Sequence, residues 1–304
     1  MTSPYRISAL VDNPFEFPSS DAPDRTPEGA PWLRWANVGN YEGWYAIGSR
    51  KPSTVYLSRP TFWQKTFCIC AAVGNIHMEA VHAIGPGILS LGALGVTMSS
   101  HYAPALLHYC LVANPQRYIE VMAEVMRIWG AHPRATTETS SGWAFATSEG
   151  EMLSASDLVV YDDQFKDQRR VWVECCSRLL RDDSFDDVQV AFLQDFAPKL
   201  LSAQLRHALR WPTNDLPDSW SWTAEQQALW AVVIACAFDD EVTTAQVALQ
   251  ARGAATSKDA VTWLREMRVA ASALGVDERF EHRVIGAQRA AQDIFEVQLG
   301  VGVA

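Results

Sequence analysis

The stretch Ala71–Gly95, AAVGNIHMEAVHAIGPGILSLGALG, follows an apolar run and packs five glycines, two histidines, one carboxylate and one proline between hydrophobic blocks. Its glycines allow tight turns and close backbone approach. Its polar residues, Asn75, His77, Glu79 and His82, offer hydrogen-bonding and proton-transfer groups. The same pattern suits a catalytic loop or a difficult turn in a core, and the segments on either side must decide between them.

Immediately upstream, RPTFWQKTFCICAAVG reads as a buried helix, with proline near its first turn and Gly74 at its end. Downstream, NPQRYIEVMAEVMRIWG predicts a helix with Asn114 as N-cap, Pro115 at the first position, an apolar stripe through Tyr118, Met122 and Val125, and Gly130 as terminator. Between Ala135 and Tyr161 short alternating segments around Glu149-Gly150 predict a small hairpin. Helical patterns then resume. Ser184 with Asp187 predicts one N-terminus, and Pro198 should kink or divide the helix that follows. Thr223/Gln226 and Thr243/Gln246 read as capping boxes, and Gly253 and Gly275 as terminators. ALWAVVIACAF is apolar nearly all round and should be the central buried helix.

Residues 1–60 differ in character. They are rich in Pro, Ser, Asp and Gly and then in aromatics (Trp32, Trp35, Tyr41, Trp44, Tyr45), without clear periodicity, which predicts an irregular arm ahead of a helical domain over 61–304. Such aromatics are costly to leave in water, so the arm is expected to wrap the body or dock on a protein partner.

Composition narrows the function. Across 304 residues the 25 basic and 35 acidic side chains give a net charge of -10, which disfavours nucleic acid and anionic membranes as partners. The start lacks a basic segment followed by an apolar one, and no apolar run is long enough to span a bilayer, so synthesis in the cytoplasm without a signal peptide and without membrane insertion is expected. The six cysteines contain no C-x2-C pair and mostly lie in apolar segments, as reduced core residues do. His77, His82, His101 and His108 cluster in sequence. If HMEAVH were helical, however, His77 and His82 would not meet around one ion, and no metal or cofactor is expected. Trp143, Trp211, Trp220 and Trp222 lie near loops or chain reversals, where an indole can stack on a sugar ring or close a core.

In order, FCICAAVGNIH, ILSLGALGVT, IEVMAEVMRIWG, GWAFATSEGEML and FDDVQVAFLQDF resemble successive elements of bacterial and phage lysozyme-like proteins of the muramidase and chitosanase type. The resemblance covers about half of the chain. It implies a mainly α, lysozyme-like helical body with a small β-hairpin. It also implies that the family's catalytic Glu falls on Val73, its Asp near His77 and its Gln on Gly95. Valine cannot protonate a leaving oxygen, so the chain is expected to be catalytically degenerate and to serve as a binding or structural component, for instance of a phage particle or contractile injection machine. Asn75, His77, His82, His101 and Trp143 are then the binding candidates, with a glycan as one ligand. The alternative is an active peptidoglycan or chitin-type hydrolase whose acid is Glu79 or Glu42.

Overall fold

The computed structural model describes the chain outside residues 1–31, 39–40, 47, 57, 75–76, 85–88, 99–101, 140–141, 154–165, 202, 210–221, 239, 256–258 and 299–304. Most of the described residues are helical, so the fold is mainly α. The helices are α1 (Pro52–Val55), α2 (Phe62–Val73), α3 (Tyr102–Ala113), α4 (Pro115–Trp129), α5 (Lys166–Arg181), α6 (Val188–Leu200), α7 (Ala203–Leu209), α8 (Ala224–Ala237), α9 (Glu241–Ala254), α10 (Ala260–Ala273) and α11 (Glu278–Phe295). The strands are β1 (Leu33–Val38), β2 (Tyr41–Ala46), β3 (Val81–Ile84), β4 (Ser90–Leu91), β5 (Val96–Thr97), β6 (His132–Ala135), β7 (Trp143–Ala146) and β8 (Met152–Leu153).

These elements divide into two compact units. The helical unit holds α1, α2 and the helices from α7 onward; the other holds the strands with α3, α4 and α5, and the division falls inside α6. The expected break near residue 60 is therefore corrected: the first strands belong with residues 75–192, whereas α2 belongs with the C-terminal helices.

In the helical unit, α8 is central, as its composition demands. Residues Ala228 to Ala237 are all buried, and α2, α9, α10 and α11 pack on it. Its start is the Thr223/Gln226 capping box, with both reciprocal bonds formed. Helix α2 carries a second box that the sequence reading missed, Thr61 with Gln64. At α9 the expected Thr243/Gln246 start is corrected. Asp240 is the N-cap, and its Oδ1 accepts from the N–H groups of both Val242 and Thr243, so the helix begins earlier. Gly253 lies inside that helix, whereas Gly275 does end α10, at φ 62°, with the Val276 N–H bonded back to the Ala271 carbonyl.

In the strand-bearing unit, β1 to β5 form one antiparallel sheet in chain order, and β6 to β8 a second. The arm is thus corrected over Leu33–Val38 and Tyr41–Ala46, which pair as strands from Leu33↔Ala46 to Val38↔Tyr41. Alternation here is concealed because aromatics fall on both faces. Trp44 is buried, packs edge-on against Trp35 at 5.3 Å, and lies opposite Ala83 of β3. Trp32 donates to the Ser177 hydroxyl on α5 at 3.1 Å and lies under the Arg181 guanidinium. Helix α4 follows its sequence closely: Asn114 accepts from the Arg117 N–H, Pro115 opens the helix, and Gly130 ends it at φ 59°. Ser184, by contrast, caps nothing. It sits in a 3-10 turn capped by Asp182, and α6 starts at Val188 and continues through Pro198 before the chain resumes as α7.

Candidate functional site

Position 73, where the resemblance would put a catalytic acid, is the last residue of α2. Its carbonyl accepts from Arg283 Nη1 of α11 at 3.0 Å, and the same guanidinium donates through Nε to the Ala235 carbonyl in the last turn of α8 at 3.1 Å. One buried cation thereby serves the carbonyl ends of two helices, where positive charge is favoured. The Val73 side chain lies against α11 one turn further along, at Gly286: a Cβ there would stand 3.1 Å from Val73 Cγ1.

Glu79, the carboxylate of the opening stretch, has no exposed surface. Its Oε1 accepts from the Ser49 N–H at 2.8 Å, the Ser49 hydroxyl at 2.9 Å and the Arg50 N–H at 3.1 Å. Two guanidiniums flank it, Arg50 at 3.9 Å and Arg181 at 3.8 Å. Arg50 is itself anchored by Asp183 (2.7 Å), Asp186 (2.8 Å) and the Leu180 carbonyl (2.6 Å). Burial pushes the Asp186 carboxyl above its ordinary range, with Arg50 opposing. The segment Ser49–Arg50 thus clasps the loop. The Met78 N–H completes the clasp by donating to the Arg50 carbonyl at 2.9 Å. A buried carboxylate held by backbone and hydroxyl donors in this way anchors the two segments to one another.

The rest of the loop is braced by Gln189, whose role nothing local in the sequence signals. Its Oε1 accepts from the Ala93 N–H at 2.9 Å and its Nε2 donates to the Met78 carbonyl at 2.8 Å, so one buried amide ties the Glu79 turn to the β4–β5 turn. Gly92 allows this, since at φ 68° any Cβ would collide with the Gln189 amide.

His77 and His82 are both buried. His77 packs its Cβ where a Cβ of Gly48 would otherwise lie. Burial pushes its imidazole below the usual pKa, with nearby Glu79 opposing. His82 lies on β3 and not on a helix. It is the centre of a polar row that crosses the whole sheet: Arg34, Tyr45, His82, Ser90 and Thr97 are successive register partners from β1 to β5. Directly opposed residues share a face, so one level of the sheet carries a guanidinium, a phenol, an imidazole and two hydroxyls. The neighbouring level, Leu33, Ala46, Val81, Leu91 and Val96, is apolar and buried.

Trp143, on β7, stacks on His108 of α3 with centroids 3.8 Å apart and planes at 24°. Thr139 Oγ1 fixes its backbone, accepting from the Trp143 N–H at 3.1 Å and donating to its carbonyl at 2.8 Å. Burial pushes the His108 pKa down, so the stack is a neutral aromatic ledge, half-buried at both rings. Asn75, His101, Trp211, Trp220 and the Glu42 side chain lie outside the described residues; Glu42 is placed only by its backbone, on β2 opposite Asn37. Among the described residues no group of three or more His, Cys, Asp or Glu side chains could hold a metal ion, and no helix is long and apolar enough to cross a membrane.

No protein-family model matches the chain, and no curated protein or solved structure does so either. The residues themselves therefore carry the argument: an α2 terminus without an acid, a buried anchoring carboxylate, a polar row and an aromatic ledge.

Proposed function

We propose that the chain is a lysozyme-like protein without the family's acid chemistry, working as a binding or structural component. A phage particle or contractile injection machine is the setting we favour, with a protein partner at the N-terminal segment or a glycan as ligand. The observation that carries this reading is the fate of the loop's carboxylate. Glu79 is spent on holding Ser49 and Arg50, and α2 ends in a valine. Glycoside hydrolysis requires a positioned carboxylic acid, usually with a second carboxylate. Loss of such an acid removes roughly 10^2 to 10^4 in rate.

The test is incubation of the purified protein with insoluble cell walls and with chitin, from mildly acidic to mildly alkaline pH, following turbidity, soluble sugar and co-sedimentation. Unchanged turbidity and no released sugar are expected, with retention in the pellet where a glycan is the ligand. Clearing of the walls that is abolished by Glu42→Gln or Glu79→Gln would replace this reading with the hydrolase one.

A further inference from the structure

Helix α9 carries no charge on the side it turns outward. Its buried residues are Thr244, Val247, Ala248 and Ala251. Opposite them, at the spacing of one helix face, run Val242, Gln246, Leu249, Gln250 and Gly253, all exposed except the half-buried Leu249. Val242 alone keeps 61% of its surface in solvent. The two charged residues of the helix, Glu241 and Arg252, stand near its ends. Eleven residues at about 100° each bring them within about 20° of one another around the axis, so they share one flank of the outward face. Gly253 has no reason inside this chain. A Cβ there would meet nothing within 4 Å and its φ is not positive, although glycine weakens a helix.

The adjoining surface of α10 extends this face. The two helices form an antiparallel hairpin whose register is set by two contacts: Trp263 Nε1 donates to the Ala248 carbonyl at 2.7 Å, and the Arg252 guanidinium lies over the Trp263 ring at 5.1 Å. Val242, six residues before Ala248, therefore comes level with Val269, six residues after Trp263, and Val269 is also 61% exposed. The exposed charges of α10 are both basic, Arg265 and Arg268.

We propose that this face binds a second copy of the chain, with α9 of each copy packed antiparallel against the other about a two-fold axis. A helix without a charged face is a covered helix, and in a chain with 20% charged residues the uncharged stripe needs a partner. Charge selects which partner. With the axis midway between residues 241 and 252, at the level of Gln246 and Val247, Glu241 of each copy meets Arg252 of the other. A two-fold axis perpendicular to both helices keeps the charged flank common to the two copies, so both contacts form together. Parallel packing would set Glu241 against Glu241 instead. The same register places Val242 of one copy between Leu249 and Gly253 of the other, where the glycine leaves room. At long range two chains of net charge -10 repel, and the basic Arg265 and Arg268 make this the side on which that repulsion is reduced.

The experiment is sedimentation velocity of the full chain across a dilution series, with Glu241→Arg and Arg252→Glu run singly and as an equimolar mixture. Expected is a concentration-dependent dimer of the unaltered chain. Each single variant sets like charges against one another at both contacts and should weaken the dimer by about tenfold or more. In the mixture both contacts are again opposite in sign, so the dimer should return; a damaged fold would not be rescued by mixing. Gln246→Lys, exposed and beside the axis, is a second probe should Arg252→Glu fail to fold through loss of its Trp263 contact. It should weaken the dimer likewise, with the far-UV circular dichroism unchanged. A chain that stays monomeric at every concentration, a dimer indifferent to all three substitutions, or weakened variants that mixing does not restore would each overturn the proposal. None of these outcomes touches the functional reading, whose test is the clearing of cell walls.

Discussion

Glu79 and Asp186 illustrate how two carboxylates around one arginine can have opposite worth. Both face Arg50, but Glu79 is fully buried and accepts two backbone N–H groups and a hydroxyl, whereas Asp186 is partly exposed and is pushed upward in pKa by burial in spite of its 2.8 Å contact. Hydrogen bonds to charged groups contribute about 1.5–3 kcal/mol, and removing one partner of a buried pair leaves the other charge uncompensated. Glu79→Gln should therefore lower unfolding stability by about 2–4 kcal/mol, because the two guanidiniums remain while the anion is lost. Asp186→Asn should change it by less than about 1 kcal/mol, since the amide oxygen still accepts from Arg50 and a disfavoured charge is removed. Urea unfolding of both variants checks this ordering; equal losses would show that Asp186 shares the anchoring role.

At the scale of elements, what the sequence made legible was whatever depends on neighbours a few residues away. Asn114, Pro115 and Gly130 delimit α4 as read, and Thr223 with Gln226 starts α8. The misreadings have local causes too: Thr243 and Gln246 imitate a capping box while Asp240 does the capping. The five-stranded sheet was illegible for another reason. Its later strands are two to four residues long, and their polar row breaks the apolar alternation that marks a half-buried strand. Tyr45 meets His82 only through pairing across the intervening helices α1 and α2. The site was similarly non-local: Glu79 was visible as a candidate, but its donors lie 30 and 29 residues upstream and Gln189 lies 111 residues from Met78. The glycine turn gives a measurable case. Gly92→Ala should cost about 1–2 kcal/mol for the left-handed backbone, and more again because the Gln189 amide must move. Gly275→Ala has a similar φ of 62° and open space around it, so only the backbone cost of about 1 kcal/mol applies. Thermal unfolding of the pair isolates the Gln189 brace, and equal effects would mean that the brace contributes nothing.

For the whole molecule, the buried ionisable groups predict a stability dome with identifiable walls. On the acid side, burial lowers the pKa of His77 and His108 from the unfolded value of 6.5. The unfolded chain then binds more protons than the folded one, so their contribution is complete above pH 6.5 and is lost as pH falls below it. Asp186 acts in the reverse sense: its raised pKa means that protonation relieves a penalty, a gain that comes only at lower pH, towards 3.8. On the alkaline side burial raises the thiols of Cys68 and Cys175 to about 11 and that of Cys70 to about 12, and pushes those of Cys110 and Cys176 well above their ordinary range. A raised acid contributes stability below its unfolded pKa, here 9.0, which is lost as pH rises through the folded value. Each such thiol withdraws about 1.4 kcal/mol for every pH unit above that point, and the total stability of a domain is only about 5–15 kcal/mol. With several thiols acting together, the alkaline wall should be the steeper one. Urea midpoints should therefore stay level from about pH 7 to 8.5, decline gently below about 6.5 and collapse near about pH 10. In the folded protein at neutral pH, a thiol reagent should find almost no reactive cysteine, and full reactivity should appear together with unfolding. A midpoint that holds at about pH 10, or rapid labelling of the native chain, would show that these cysteines reach solvent and are not the reduced core residues their surroundings make them.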